Sequence, residues 1–176
     1  VPPLTEIKII DDDWNELSEG SIGEVAIKSQ SNMKGYWRNE AATEECMNEQ
    51  GWFKSGDLGK FDGPFLYILD RLKDMVIRGG ENIACPEVEG AIYEHQDVLE
   101  ASVFGIPDER LGEILCTSIY LKKGSKVSEE DIRKFLSDKL AAFKIPAVID
   151  FSEKPLPKLA SGKFDKPTLR EVFQNK

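Results

Sequence analysis

The feature that most constrains this chain is a dense charge cluster, Asp70-Arg71-Leu72-Lys73-Asp74, set between two apolar stretches. Apolar stretches of this kind can enter a sheet, but a run so rich in charge stays at the surface unless each charge is paired. The cluster therefore divides the chain, and the patterning differs on its two sides. Upstream, Ile7, Ile9 and Ile10, then Val25 and Ile27, show the partial alternation of strands, punctuated by Gly20 and Gly23. Residues 52–62 and 65–69 read as two more strands around a turn at Asp62-Gly63-Pro64. Asn39 is placed to cap a helix over 40–48, which Gly51 would end. This part is mostly β with one helix.

Downstream the pattern mixes helix and strand. Pro86 suits the first turn of a helix over 87–94. Residues 101–106 and 114–121 are strand candidates. Ser128 can cap a helix to residue 140, with Asp131 in the capping-box position and Val127 able to staple onto Ile132. Ile132, Phe135, Leu136 and Leu140 would line its apolar face. Pro155 and Pro157 mark a loop, and a last short helix starts near Pro167.

Composition excludes several function classes. A formal net charge of -9 repels nucleic-acid phosphates. No apolar run approaches the roughly 20 residues of a spanning helix, and no basic-then-apolar signal pattern opens the chain. Cys46, Cys85 and Cys116 are odd in number and lack a C-x-x-C spacing, which disfavours a disulfide framework or zinc site and fits a reducing cytoplasm. His95 is the only histidine, so a multi-histidine metal site is excluded on this chain, and its place after a helix suits the C-terminal dipole. The opening Val1 and its strand-like continuation predict a piece of a longer protein.

Four stretches carry chemistry: Trp52-Phe53-Lys54-Ser55-Gly56-Asp57-Leu58, the charge cluster from Leu69 to Asp74, Arg78-Gly79-Gly80-Glu81-Asn82-Ile83, and Leu159-Ala160-Ser161-Gly162-Lys163-Phe164. A carboxylate such as Asp57 can accept two hydrogen bonds from vicinal hydroxyls, or it can be a plain turn aspartate after Gly56. Arg71 offers a planar donor fork for ribose or phosphate oxygens, or a surface ion pair with Asp70 or Asp74. Gly79-Gly80 permits close backbone approach to a ligand, or a tight turn between strand and helix. Lys163, after the permissive Gly162, can be an exposed reactive ammonium or an ordinary surface lysine. Phe143 and Lys144 could stack on a base and pair with phosphate, while Phe143 could equally be helix-end packing.

In this order and spacing the four stretches closely resemble the later motifs of the adenylate-forming superfamily, and in particular AMP-forming acyl-CoA synthetases. Gly23-Glu24-Val25, Gly35-Tyr36-Trp37, the run from Val103 to Asp108, and Phe143-Lys144-Ile145-Pro146 also fit, so the resemblance covers essentially the whole chain. It implies an α+β fold: residues 1–71 as the β-rich end of the large AMP-binding N-terminal region, and 72–176 as the small mobile C-terminal domain. It implies that Asp57 and Arg71 contact AMP or ATP and that Lys73 is the hinge. It further implies that Gly79, Gly80, Phe143 and Lys144 meet CoA, and that Lys163 is catalytic in forming the acyl-adenylate. The implied partners are a carboxylic acid, ATP and CoA, with Mg2+ held by residues outside this chain. The phosphate-gripping Ser/Thr/Gly-rich loop and the aromatic-Gly-x-Thr-Glu stretch of the family do not occur here, so the chain by itself is expected to be inactive.

Phe164-Asp165-Lys166 replaces the family's usual apolar-x-Arg after the lysine. A lysine acyltransferase and deacylase acting on Lys163 would be a further implied partnership, since acylation removes its charge. Two other readings remain: an acyl-AMP ligase that loads a carrier protein, and a non-catalytic interaction module.

Overall fold

The computed structural model of the chain describes residues 4–174. The chain folds as two compact units, residues 1–73 and 74–176.

The first unit is built on a four-stranded antiparallel meander, in the order β1 (Thr5–Ile10), β2 (Gly23–Ser29), β3 (Phe53–Asp62) and β4 (Phe65–Arg71). Ile9, Ile10, Val25, Ala26 and Leu58 are buried. Gly23 is required where β1 and β2 meet, because a Cβ there would lie 2.5 Å from the Ile10 carbonyl oxygen. The β2–β3 pairing is interrupted: Glu24 faces Leu58 and Ala26 faces Lys54, so Ser55, Gly56 and Asp57 bulge opposite Val25. A bulge bends its strand and re-aims the side chains in it. Here it presents Asp57. Helix α1 (Glu40–Cys46) starts at Asn39, whose side chain accepts from the Ala42 N–H. It stops two residues short of the expected end, because Met47 leaves the helix to bridge Phe53 of β3.

The second unit is a sheet covered on both faces. Its strands are β5 (Val76–Arg78), β6 (Glu81–Ile83), β7 (Val98–Asp108), β8 (Gly112–Leu121) and β9 (Val148–Ser152). The order is β6-β5-β8-β7, and β9 runs parallel beside β8. Strand alternation sends Val103 and Leu115 to one face and Phe104 and Cys116 to the other. The first face packs against α2 (Cys85–Tyr93) and α3 (Glu129–Ser137) through Val88, Ile92, Ile132 and Leu136. The second packs against Leu156 and, on α4 (Lys166–Gln174), Leu169 and Phe173. Each such fully buried side chain contributes about 1.5–3 kcal/mol.

Strand β7 has one open edge, and α2 closes it. The Glu89 carboxylate accepts the Val103 N–H at 2.8 Å, and the Tyr93 hydroxyl accepts the Ala101 N–H at 3.0 Å. Residues one helical turn apart and residues two apart on a strand have nearly the same spacing, which is why the match works. Satisfying these N–H groups removes a template for strand addition.

The capping box at α3 is present, with Ser128 and Asp131 bonded reciprocally. The helix ends at Ser137 rather than near residue 140. The Ser137 hydroxyl turns back to the Lys134 carbonyl and Asp138 forms the cap, polar groups competing with helix bonds. Leu140 still packs on the core from beyond the helix. Strands β6 and β9 were not legible in the sequence. Among the described residues, no helix is long and apolar enough to cross a membrane.

Candidate functional site

Asp57 and Arg71 are direct cross-strand neighbours on β3 and β4. Arg71 Nε lies 3.2 Å from Asp57 Oδ1, with both side chains partly exposed. This corrects the expected ion pair of Arg71 with Asp70 or Asp74: its partner is Asp57, across the sheet, and the Asp74 carboxylate lies 3.6 Å from Arg170 on α4 instead. Asp57 is set by the bulge before it. Gly56 has φ +73°, a conformation that L side chains rarely adopt, and its N–H donates to Glu24 Oε1 at 2.9 Å. Glu24 is buried and also lies 4.0 Å from the Lys54 ammonium. In the sequence Glu24 is only the middle of Gly23-Glu24-Val25, and its hold on Gly56 exists only because β2 lies against β3.

Lys73 sits, exposed, in a single 3-10 turn, Leu72–Asp74, where the first unit passes in sequence to the second. Beyond the turn the chain is tied down at once, since the Asp74 carbonyl accepts from buried Cys85 Sγ.

Gly79 and Gly80 form the two-residue turn of the β5–β6 hairpin, with Arg78 opposite Glu81. This corrects the expectation of a turn between strand and helix. Their φ values, +58° and +87°, are both positive, as the tight hairpin turns that match strand twist require. The Gly79 N–H donates to the Leu111 carbonyl at 2.8 Å, and nothing lies within 4 Å of a Cβ built on Gly80. The turn is exposed backbone held from behind.

Phe143 and Lys144 occupy the 3-10 turn Ala142–Lys144. Phe143 packs against the first core, and Lys144 Nζ contacts both Glu87 carboxylate oxygens at 2.6 and 2.7 Å. In this structure both side chains are engaged within the fold.

Lys163 lies in a short hairpin. Lys158 bridges Phe164, the Leu159 N–H donates to the Lys163 carbonyl at 2.8 Å, and the Gly162 N–H donates to the Leu159 carbonyl at 2.9 Å. Gly162 has φ +82°. Lys163 is exposed, and among the described residues its ammonium has no hydrogen-bond or ion-pair partner.

Asp57 and Arg71 are therefore brought together, whereas Lys73, the Gly79-Gly80 pair, the Phe143-Lys144 pair and Lys163 occupy separate elements. His95 packs edge-on to Phe135 at 5.0 Å and its Nδ1 accepts the Asp97 N–H, a structural placement. Burial pushes the Cys116 thiol up to about 12, so it is not a nucleophile at neutral pH. Among the described residues no three His, Cys, Asp or Glu side chains converge to hold a metal. They offer no such cluster for the Mg2+ that the resemblance implies.

This arrangement, an exposed lysine hairpin on a small α+β unit preceded by a β meander with a paired Asp and Arg, has known counterparts. Residues 87–163 match the family described as AMP-binding enzyme C-terminal domain. The medium-chain acyl-CoA ligase ACSF2, mitochondrial, of Danio rerio is 39% identical over 174 residues, 97% of this chain and 28% of that protein. The ATP-bound structure of MatB from Rhodopseudomonas palustris matches with TM-score 0.90 and 34% identity, over 98% of this chain and 35% of that one. The amide bond synthetase McbA from Marinactinospora thermotolerans matches with TM-score 0.86 and 34% identity, over 97% and 35%. The chain thus spans about a third or less of the proteins it matches. The fold and these matches define the class: the chain carries the C-terminal domain of AMP-binding enzymes. Over nearly its whole length it is similar to the C-terminal portion of CoA ligases and other adenylate-forming enzymes.

Proposed function

We propose that the protein to which this chain belongs is a carboxylic acid:CoA ligase that works in two half-reactions, and that residues 72–176 are the mobile domain serving both. In the first, a carboxylate oxygen attacks the α-phosphorus of ATP and pyrophosphate leaves, giving acyl-AMP. The two reactants repel, and negative charge spreads over the phosphoryl oxygens as they meet. The Lys163 ammonium would lie between the two groups and stabilise that charge. Asp57 would accept hydrogen bonds from the ribose hydroxyls, and Arg71 would donate to ribose or phosphate oxygens. Their ion pair brings Arg71 Nε to 3.2 Å from Asp57 Oδ1 and leaves both side chains partly exposed, within reach of a ligand.

In the second half-reaction the domain turns about Lys73 and brings Gly79-Gly80 to the acceptor. The CoA sulfur attacks the acyl carbonyl, AMP leaves, and the thiol proton goes to solvent. Hinges are a few residues that absorb a torsional change, and a lone 3-10 turn between two compact units suits that use. The exposed hairpin turn at Gly79-Gly80 offers backbone without side chains, against which a thin pantetheine arm could lie. Phe143 and Lys144 would meet the nucleotide end of CoA only after Lys144 releases Glu87.

The observation that carries this reading is Lys163. An exposed ammonium with no partner among the described residues, in a hairpin whose stems are fixed, suits delivery into a separate site. The match to an amide bond synthetase supports a second reading, in which another acceptor takes the acyl group. Loading of a carrier protein belongs to the same alternative. The test is to incubate the whole enzyme with ATP and short, medium, long and aromatic acids, then add CoA. Acid-dependent pyrophosphate release followed by an acyl-CoA thioester and AMP is expected. Pyrophosphate release without thioester would favour the other acceptors, and no release with any acid would overturn the ligase reading.

The compartment is part of the proposal as well: the cysteine usage fits a reducing cytoplasm, while several relatives carry the word mitochondrial in their names.

A further inference from the structure

The Lys163 hairpin is gripped at its base by groups that no motif contains. Glu100, on β7, uses both carboxylate oxygens on the chain leading into the hairpin. Oε2 accepts the Leu156 N–H at 2.7 Å and Oε1 lies 2.6 Å from Lys158 Nζ. Lys158 is itself the bridge partner of Phe164, and its ammonium lies 5.3 Å from the centre of the Phe164 ring. Contacts therefore run from the sheet through Glu100 and Lys158 to the residue next to Lys163.

The chain leaving the hairpin is held in the same way, because Lys166 Nζ lies 3.3 Å from Glu89, the residue that closes the β7 edge. Leu156 and Phe164 pack in the second core, so the hairpin rests on apolar contacts and is oriented by ionic ones. Burial works against the Glu100 charge, but the bonds from Lys158 and the Leu156 N–H outweigh it and hold its carboxyl below the ordinary range.

We propose that Glu100 is a positioning residue for Lys163: by fixing Leu156 and Lys158 to β7 it sets where the lysine ammonium sits when the domain delivers it. The inference rests on the two-step reading above. A lysine at an exposed turn has many rotamers already, and a mobile stem would add to the conformations to be lost at each turnover. Misplacement of a reacting group by about 1 Å can cost a hundredfold in rate. A single contact to the stem would leave it free to pivot, whereas two oxygens on two groups also fix its rotation.

The test separates the half-reactions in the whole enzyme. Glu100→Gln keeps an oxygen for the Leu156 N–H but sets an amide against the Lys158 ammonium. Lys158→Met removes the same ion pair from a side chain that is 44% exposed, where folding is little affected. Each variant is expected to slow pyrophosphate release by about tenfold or more, while thioester formation from supplied acyl-AMP stays within about twofold of wild type. Lys158→Arg should restore most of the loss. Equal losses in both half-reactions would mean a merely structural Glu100, and no loss in either would mean no role; both outcomes overturn the inference. Lys163→Ala runs alongside. If it abolishes pyrophosphate release while Glu100→Gln does not, only this inference fails. If it leaves release intact, the two-step reading fails and takes this inference with it.

Discussion

The Asp57–Arg71 pair and the Lys163 hairpin are built in opposite ways. The pair sits on adjacent strands with the charges already matched, and the bulge that aims Asp57 is held by a buried carboxylate, Glu24. Lys163 is exposed and, among the described residues, unmatched. A group that holds a ligand's hydroxyls can rest in an ion pair between turnovers, because exchanging one polar partner for another costs little. A group that must enter another site and leave it again works best with nothing to release.

The units around them differ too. The second has two apolar cores, one on each face of its sheet. The first is a single meander whose last strand exposes Phe65, Tyr67 and Ile68.

The largest effect that would sharpen this contrast is on stability. Phe104 is fully buried and meets Phe173 edge-on at 5.0 Å. Phe104→Ala should destabilise the second unit by about 3–5 kcal/mol, read by denaturant unfolding. A loss below 1 kcal/mol would mean that α4 is not packed as described. Next comes Asp57→Ala, which should raise the KM for ATP by about tenfold or more through lost ribose hydrogen bonds, with the fold intact by circular dichroism. An unchanged KM would break the assignment of this site to nucleotide.

Gly80→Ala should cost about 1 kcal/mol of stability through its positive φ and slow thioester formation more than pyrophosphate release. The smallest effect is at the ion pair itself. Arg71→Gln should change stability by less than about 1 kcal/mol, because the pair is exposed. A larger loss would mean that the pair is structural rather than poised for a ligand.

What was legible in the sequence follows from how far each interaction reaches. Asn39 and the Ser128–Asp131 box were readable because a cap bonds within its own turn. The strands β7 and β8 were readable because each is long and apolar. Strand β6 has three residues and β9 has five, and pairing with partners elsewhere in the chain makes them strands at all. The same limit hid the supporting carboxylates. Glu24, Glu89 and Glu100 bond residues 32, 14 and 56 positions away, and nothing local marks them among the other acidic residues. Lys163 stood out because the glycine turn and its neighbours form a contiguous pattern, whereas its unpaired state could be seen only once the hairpin was formed.

The most direct test of the account is pyrophosphate release by the whole enzyme, wild type against Lys163→Ala, with thioester formation from supplied acyl-AMP measured in parallel. Loss of release by about a hundredfold or more, with thioester formation retained, is the predicted result. Equal pyrophosphate release by the two proteins would contradict it, and the unpaired lysine would then be a surface residue with no part in the chemistry.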